Sequence, residues 1–305
     1  MEYRNRIQRT IDYIEDRARA DIRMEQLADV ACFSPFHFCR MFQVFTGSSV
    51  MEYVRHRRLA SSIFDLKHGG RLVDIAIEYG FGSRDSYSRA FKRVYGMTPG
   101  ECRKQRKFPV PEKRLVLEER EQNSRSKVMV YGLKMKIMEM PEITVAGYEL
   151  KTDLSRNTQD IPKFWQKLIK DGSLETTPGK LHISAEYGQV QLAYCTETGS
   201  DGNSFSYIIG WIVDDARDLP DGLKVYQNPA LTYAVFTTPP TPVEHFSTVI
   251  QLTSRYVFHD WLPSSEYEFD ERGSDLEWYD QRGTGTDNVC MDVCVPIKSP
   301  VKGQK

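Results

Sequence analysis

The chain has 305 residues, 40% of them hydrophobic, and a formal net charge of −1. This length predicts about two domains, each with enough apolar residues to bury a core. The sequence lacks an apolar run of about 18 residues, and no signal-peptide stretch follows Met1. We therefore expect a cytoplasmic protein that does not contact a membrane, and we exclude transmembrane and secreted classes.

The charges are divided unevenly along the chain. Residues 1–107 hold 20 Lys and Arg against 13 Asp and Glu, whereas residues 108–305 hold 21 against 29. The excess in the first segment is largely arginine, which suits bidentate contacts with phosphate and guanine. Nucleic acid is therefore the expected partner of residues 1–107.

A two-part motif occurs twice in this basic segment. Leu27-Ala28-(x)4-Phe33 is matched further along by Ile75-Ala76-(x)4-Phe81. After each copy a capping serine, Ser34 or Ser83, begins a second amphipathic stretch. Each copy predicts two short helices joined by a tight turn, and two such units in one small domain favour a DNA-binding function.

The second helix of each unit is the part expected to meet DNA. In the second unit we predict an outward face of Arg84, Asp85, Ser88, Arg89, Lys92 and Arg93. In the first unit we predict an outward face of Phe36, His37, Cys39, Arg40 and Gln43. A helix over residues 50–66 would separate the units by about one DNA turn, roughly 34 Å, so that both enter successive major grooves.

Different residues are expected to do different work on DNA. We predict that Arg40 and Arg89 contact bases, because arginine pairs with guanine in two places at once. Lys92, Arg93 and the cluster from Arg55 to Arg58 should mostly contact phosphate. One chain could then bind two groove segments without dimerising, and we expect a monomer or a homodimer.

Residues 7–100 resemble the DNA-binding domain of AraC/XylS-family transcription regulators. The resemblance rests on Ser34-Pro35-Phe36-His37-Phe38-(x)-Arg40-Met41-Phe42, on Ile75-Ala76-(x)3-Gly80-Phe81, and on Ser88-Arg89-Ala90-Phe91-Lys92-(x)2-Tyr95-Gly96-Met97-Thr98-Pro99. Cys32 departs from the pattern because it stands where a turn glycine is expected. The resemblance implies an all-α domain with two helix-turn-helix units over residues 1–107. It also implies a transcription regulator, expected to be an activator, that binds double-stranded promoter DNA and meets RNA polymerase.

Residues 108–127 are predicted to be a linker. They contain Pro109, Pro111 and a run of charged residues, a composition that buries little apolar surface. Residues 128–305 then form a second domain. Two models of coupling stay open: this acidic domain masks the basic one until a ligand releases it, or it offers a surface to RNA polymerase.

The second domain alternates between strand and helix patterns. Strands are predicted at residues 133–140, 144–150, 188–195, 205–213, 231–237 and 288–297, and helices at residues 161–170 and 243–261. The order strand, helix, strand, strand occurs twice. Two such halves predict an α+β domain in which an antiparallel sheet carries both helices on one face, with a groove between the halves.

The groove is expected to be aromatic and acidic. A carboxylate among aromatic rings suits an organic cation, because the rings supply cation–π contacts and the charge supplies selectivity. The predicted ligand-binding residues are Glu277, Trp165, Tyr187, Tyr207, Trp211, Tyr233, Trp261, Tyr267 and Tyr279. For any one aromatic residue, a place in the core is the alternative.

Residues 133–298 resemble the GyrI-like effector-binding domain, also found behind AraC-type heads in Rob-like regulators. The resemblance rests on Phe164-Trp165-(x)2-Leu168, Tyr207-Ile208-Ile209-Gly210, Tyr233-Ala234-Val235-Phe236, Trp261-Leu262-Pro263-Ser264-Ser265-Glu266-Tyr267, Glu277-(x)-Tyr279 and Val295-Pro296-Ile297. It implies a small amphipathic, cationic ligand with Glu277 as its counter-charge, and multidrug sensing rather than catalysis. The alternatives are a hydrolase of reactive toxic compounds, in which Glu277 and Tyr187 activate water, and a protein-interaction module without a ligand.

The six cysteines suggest neither a metal site nor a disulfide framework. Cys290 and Cys294 are the nearest pair, but a four-residue step along one strand separates them by about 13 Å. We therefore expect reduced thiols, no metal and no cofactor.

Overall fold

The structure is a computed structural model that describes residues 2–117, 132–153, 156–197 and 204–299. The chain divides into two compact units, Met1–Glu121 and Gln122–Lys305, here called the head and the body. None of the helices in these described ranges has the length and the apolar run that a membrane span needs.

All regular secondary structure in the described part of the head is helical. Its helices are α1 (Glu2–Asp16), α2 (Met24–Ala31), α3 (Pro35–Thr46), α4 (Val50–Lys67), α5 (Leu72–Glu78), α6 (Arg84–Tyr95) and α7 (Pro99–Gln105). Helices α2 and α3 form one helix-turn-helix unit and α5 and α6 form the other, with α4 between them as predicted. The side chains of Ser34 and Ser83 accept hydrogen bonds from backbone amides in the first turns of α3 and α6.

The two units close their turns with different residues. Gly80 follows α5 with φ +71°, a left-handed conformation that glycine adopts without steric cost. Cys32 occupies the matching place after α2 with φ +54°, although it carries a side chain. Phe81 then packs on a core built around Tyr87 and Phe91 of α6, which α4 and α5 complete. The second unit is thus held by its own aromatic core.

The first half of the predicted linker contacts the head. This segment, residues 108–117, is here called the strap. The side chain of Gln8 binds the strap backbone twice, accepting from the amide of Leu117 at 2.6 Å and donating to the carbonyl of Leu115 at 3.4 Å. Arg57 donates to the carbonyl of Glu112 at 2.7 Å while it pairs with the half-buried carboxylate of Glu15. The linker boundaries themselves stay a prediction.

The body combines an antiparallel sheet with helices. Its strands are β1 (Lys134–Met140), β2 (Ile143–Asp153), β3 (His182–Ile183), β4 (Gln191–Glu197), β5 (Ser204–Asp215), β6 (Leu223–Asn228), β7 (Leu231–Thr237), β8 (Glu268–Phe269), β9 (Leu276–Tyr279) and β10 (Asp292–Lys298). Its helices are α8 (Asn157–Lys170), α9 (Ser173–Thr176), α10 (Val243–Tyr256) and α11 (Leu262–Ser264), with a π-helical turn at Val257–Trp261. The main strand order is β1-β7-β10-β9-β4-β5-β2-β6.

The sheet consists of two halves of like order. β2, α8, β4 and β5 form one half, and β7, α10, β9 and β10 form the other. Both halves have the predicted order strand, helix, strand, strand, although no strand was predicted at the residues of β9. The halves join where β4 pairs antiparallel with β9, and Ala193 lies opposite Glu277 in that ladder. Residues from both halves bury one common core, including Val145, Ile208 and Val235.

Strands β2 and β5 approach unusually closely at two facing glycines. Gly147 and Gly210 lie opposite each other in the ladder. A Cβ atom on Gly210 would stand 2.5 Å from the carbonyl oxygen of Ala146, closer than any side chain tolerates. This contact needs glycine because one backbone lies against the other.

Several predicted boundaries in the body differ from those observed. The sequence pattern did not predict β3, β6, β8 or β9, which are short or half-exposed. The last strand begins at Asp292 rather than at residue 288, and the predicted helix over residues 243–261 changes to a π-helical turn after Tyr256.

Candidate functional site

Helix α6 presents a basic outer face on the head. Tyr87 and Phe91 are fully buried, and the opposite side of the helix exposes Arg84, Asp85, Arg89, Lys92 and Arg93, with Ser88 half-buried. The helical spacing predicted this division of faces. The exposed face carries four cations within three turns, an arrangement suited to a phosphate-lined groove. That these residues bind DNA stays a prediction.

Helix α3 differs from its prediction. Arg40 and Gln43 are half-buried, and the side chain of Phe36 lies outside the described residues. His37 and Cys39, expected on the outer face, have only 2% and 1% of their surface exposed. Their predicted position was therefore wrong.

The N-terminal helix explains why His37 and Cys39 are buried. Tyr3 of α1 stacks on Phe33, and both rings meet the His37 ring edge-on, with ring centres 6.1 and 4.8 Å from it. Burial, together with the positive charges of Arg40 and Arg6, lowers the pKa of His37 to about 3. The Cys39 thiol lies 3.3 Å from the Met24 sulfur in α2. Helices α1 and α2 thus cover more of the α3 surface than its single stripe of apolar residues predicts.

The expected phosphate cluster on α4 is also reduced. Arg57 is buried against Glu15 at 2.8 Å and holds the strap. Arg58 donates to the carbonyls of Ala18 and Ala20, and burial lowers its pKa. The expectation that these two arginines face phosphate was wrong, because both guanidinium groups bind the head itself; Arg55 remains exposed.

The body contains a cavity of about 1260 Å³. Side chains from helices α8 and α10 and from strands β5 and β9 contribute to its lining. The cavity is larger than most small-molecule pockets, which measure roughly 300–1,000 Å³. The structure brings five of the predicted ligand-binding residues together in its lining: Trp165, Tyr187, Tyr207, Glu277 and Tyr279.

Glu277 is the centre of a hydrogen-bonded cluster in this cavity. Its Oε2 atom accepts from the hydroxyls of Tyr207 at 2.7 Å and Tyr279 at 3.0 Å. The indole of Trp165 donates to the Tyr207 hydroxyl at 3.1 Å and meets the Tyr279 ring edge-on at 5.1 Å. Since a carboxylate can only accept hydrogen bonds, two phenol donors match its needs.

The two tyrosines of the cluster are held protonated. Burial first, and then the nearby Glu277 charge, raise the pKa of Tyr207 and that of Tyr279 well above the ordinary value for tyrosine. Burial also raises the pKa of Tyr187. The Tyr207 and Tyr279 hydroxyls therefore act as donors near neutral pH and fix the position of the Glu277 carboxylate.

Four predicted ligand-binding residues lie outside the cavity lining. Trp211 is fully buried and contacts Tyr148. Tyr233 is buried in the sheet core, where its hydroxyl binds Asn228. Trp261 stacks on Tyr267 and contacts Phe236 instead. The structure therefore does not bring Trp211, Tyr233, Trp261 and Tyr267 together with the Glu277 cluster.

The lining also holds residues that the sequence reasoning did not propose for the site. An apolar set comes mainly from the two helices: Ile161, Pro162, Ile169, Val243, Phe246 and Ile250. A polar set carries side-chain amides: Asn157, Gln166, Gln189, Gln191, Gln251 and Gln281. The apolar set had a signal, the four-residue helical spacing of Phe246 and Ile250.

Comparisons with known proteins match each unit separately. Residues 136–297, more than half of the chain, match the family described as integron-associated effector binding protein. Residues 27–105 match a helix-turn-helix domain family. The structure of SAV2435 bound to tetraphenylphosphonium matches with a TM-score of 0.46 and 18% identity, over 54% of this chain and 94% of SAV2435.

Two curated relatives match the head. YbfP of Bacillus subtilis, described as an uncharacterized HTH-type transcriptional regulator, is 41% identical over 104 residues, which are 34% of this chain and 35% of YbfP. The regulatory protein SoxS of Salmonella typhimurium is 30% identical over 104 residues, which are 34% of this chain and 97% of SoxS. The chain thus spans about a third of the length of YbfP. It belongs to the integron-associated effector binding protein family through its GyrI-like body, which is joined to a helix-turn-helix DNA-binding head of the AraC type.

Proposed function

We propose that this protein is a transcription regulator whose head binds promoter DNA and whose body senses an amphipathic organic cation. In the head, Arg89 contacts a base and Lys92 and Arg93 contact phosphate, because α6 exposes these side chains on one face. Helix α3 contributes fewer contacts, through Arg40 and Gln43. RNA polymerase is the expected second partner, and the regulator acts as an activator.

The observation that carries the sensing proposal is the Glu277 cluster. A carboxylate fixed by Tyr207 and Tyr279 lies in a large cavity whose other lining residues are mainly aromatic, apolar or amide-bearing. A second lining carboxylate, that of Asp280, is paired with Arg282. None of the lining residues, all of them described, is basic. A cation with aryl groups would therefore gain ring contacts and a counter-charge in one place.

A titration of the full-length protein tests this proposal. Calorimetry with tetraphenylphosphonium compares wild type, Glu277→Gln and the control Glu175→Gln, which removes an exposed carboxylate from α9. We expect Glu277→Gln to weaken binding by about tenfold or more, equivalent to about 1.4 kcal/mol. Equal affinity in all three proteins would remove Glu277 from the site.

Repeating the titration with DNA tests the coupling. Fragments selected by the wild-type protein are titrated with and without the cation. If the ligand regulates the head, the DNA must change the affinity for the cation by the same factor as the cation changes the affinity for the DNA. If neither the DNA nor the cation changes the affinity for the other, the body binds the cation without controlling DNA binding.

We propose binding rather than turnover of the ligand. Tyr187, Tyr207 and Tyr279 all have a raised pKa, so none of them is a ready general base near neutral pH. The remaining candidate base, Glu277, already accepts hydrogen bonds from Tyr207 and Tyr279, which makes its Oε2 atom a weaker base. Chromatography of a reactive alkylating compound after incubation with the protein tests this choice. Consumption that is lost in Glu277→Gln would identify a hydrolase instead.

A further inference from the structure

Six side-chain amides line the same cavity as the Glu277 cluster, and a simple lipophilic cation would leave their hydrogen-bonding groups unused. This amide collar consists of Asn157, Gln166, Gln189, Gln191, Gln251 and Gln281. Five of the chain's thirteen glutamines thus line one cavity. The collar residues come from α8, α10, β4 with the residues before it, and the turn after β9, so no single amphipathic element explains their convergence.

The collar begins directly beside the aromatic cluster. Gln191 lies opposite Tyr279 in the ladder of β4 and β9, and Gln281 follows Tyr279 by two residues. Gln166 is the neighbour of Trp165 on α8. A molecule whose cationic part lies at Glu277 would therefore extend its remaining part between the amides.

One amide has an unmet hydrogen-bonding need. The Oδ1 atom of Asn157 is buried and accepts no hydrogen bond from any residue in the described part of the chain. A buried polar atom without a partner costs free energy, which a ligand donor recovers once the Asn157 side chain turns this atom towards the cavity. The wall at the start of α8 is therefore suited to a hydrogen-bond donor.

Carboxamides select a particular ligand chemistry. Each amide carries both a donor and an acceptor and no charge, so it pairs well with hydroxyl groups, which also donate and accept. A simple lipophilic cation would desolvate these amides without replacing their hydrogen bonds, which costs binding free energy. The cavity volume leaves room for a second, polar part of the ligand.

We propose that the amide collar is a subsite for a hydroxyl-rich, glycosyl-like substituent, and that the effector is an aromatic cation carrying such a group. This inference rests on the proposed function, because the cationic part is held by Glu277. It adds that hydrogen bonds from the collar decide which cations bind best.

Two triphenylphosphonium probes test the subsite, one with an alkyl chain ending in a methyl group and one ending in a glucosyl group. Full-length wild type, Gln166→Leu, Gln251→Leu and Gln159→Leu are titrated calorimetrically with both. Gln159 lies on α8 with Gln166, is also exposed, but does not line the cavity, so it is the matched control. Leucine keeps approximate size and removes the amide.

We expect wild type to prefer the glucosyl probe. Gln166→Leu and Gln251→Leu should each reduce that preference, about three- to tenfold for a lost hydrogen bond, and Gln159→Leu should not. Equal affinity of wild type for the two probes, or a preference unchanged in both cavity variants, would overturn the subsite. Glu277-dependent binding of the alkyl probe in that case would leave the proposed function standing, whereas failure of both probes would overturn the two together.

Discussion

Helices α3 and α6 occupy equivalent places in two copies of one motif, yet they present different surfaces. With the capping residues Ser34 and Ser83 aligned, Arg40 matches Arg89; the first is half-buried and the second exposed. His37 and Cys39 of α3 are buried under α1 and α2, whereas the outer side of α6 is open. The two copies of the motif therefore share the same pair of helices but differ in which side chains the second helix exposes.

The largest expected difference is in sequence discrimination. Arg89→Ala should lower the preference for the specific site over a mutated site by about 1–3 kcal/mol, because a bidentate base contact is lost. Arg40→Ala should have a smaller effect, since its side chain is half-buried. Competition binding with specific and mutated duplexes measures both. An equal or larger loss for Arg40→Ala would reverse the proposed ranking of the helices.

The turns offer a second test of the comparison. Gly80→Ala should destabilise the head by about 1–2 kcal/mol, because its φ of +71° is strained for any side chain. The added Cβ would also stand 2.7 Å from the Arg58 guanidinium. Cys32→Gly makes the opposite change at the matching turn and should stabilise the protein slightly. Urea unfolding measures both, and an unaffected Gly80→Ala would show that the turn relaxes without cost.

Acid should affect the first unit through His37. Its folded pKa of about 3 lies below the ordinary 6.5, so the unfolded state binds more protons between these values. Stability is therefore lost as pH falls from 6.5 towards 3, by up to about 1.4 kcal/mol per pH unit. His37→Phe should flatten this slope in urea unfolding at several pH values, whereas the exposed control His68→Phe should not. A slope unchanged in His37→Phe would assign the acid sensitivity to other groups.

The smallest effect is expected from a phosphate contact on α6. Lys92→Ala should weaken binding to all DNA sequences alike, by less than about tenfold, and reduce the salt slope by about one unit. Affinities at several salt concentrations, for specific and random duplexes, give that slope. A loss confined to the specific duplex would make Lys92 a base-contacting residue.

The head was largely predictable because its pattern is local. The motif around Ile75, Phe81 and Phe91 specifies two helices, their turn and the buried face within a short stretch. The local pattern did not show that α1 covers part of α3. Tyr3 lies 34 residues before His37 and contacts it only in the folded head. His37 and Cys39 were therefore predicted on the outer face of α3 from their residue types and spacing alone.

The body was predictable in its order of elements but not in its site. Strand β9 has four residues and depends on pairing with β4 and β10, which no local pattern indicates. The Glu277-(x)-Tyr279 motif identified Glu277. Trp211 and Tyr233 are also aromatic residues of this domain, but they lie outside the cavity. The register of the sheet decides which aromatic residues lie in one cavity. The type of a single residue does not predict this register.

The position of Trp165 gives the protein a reporter of its own. Of the four tryptophans of the chain, Trp165 alone lines the cavity, where its indole donates to Tyr207 beside the Glu277 carboxylate. A molecule that enters the cavity changes the polarity around this indole and therefore its emission. Replacing Trp211, Trp261 and Trp278 by phenylalanine would leave one tryptophan, whose emission can be excited separately from that of the tyrosines. Occupancy could then be followed without a label while the head is bound to DNA.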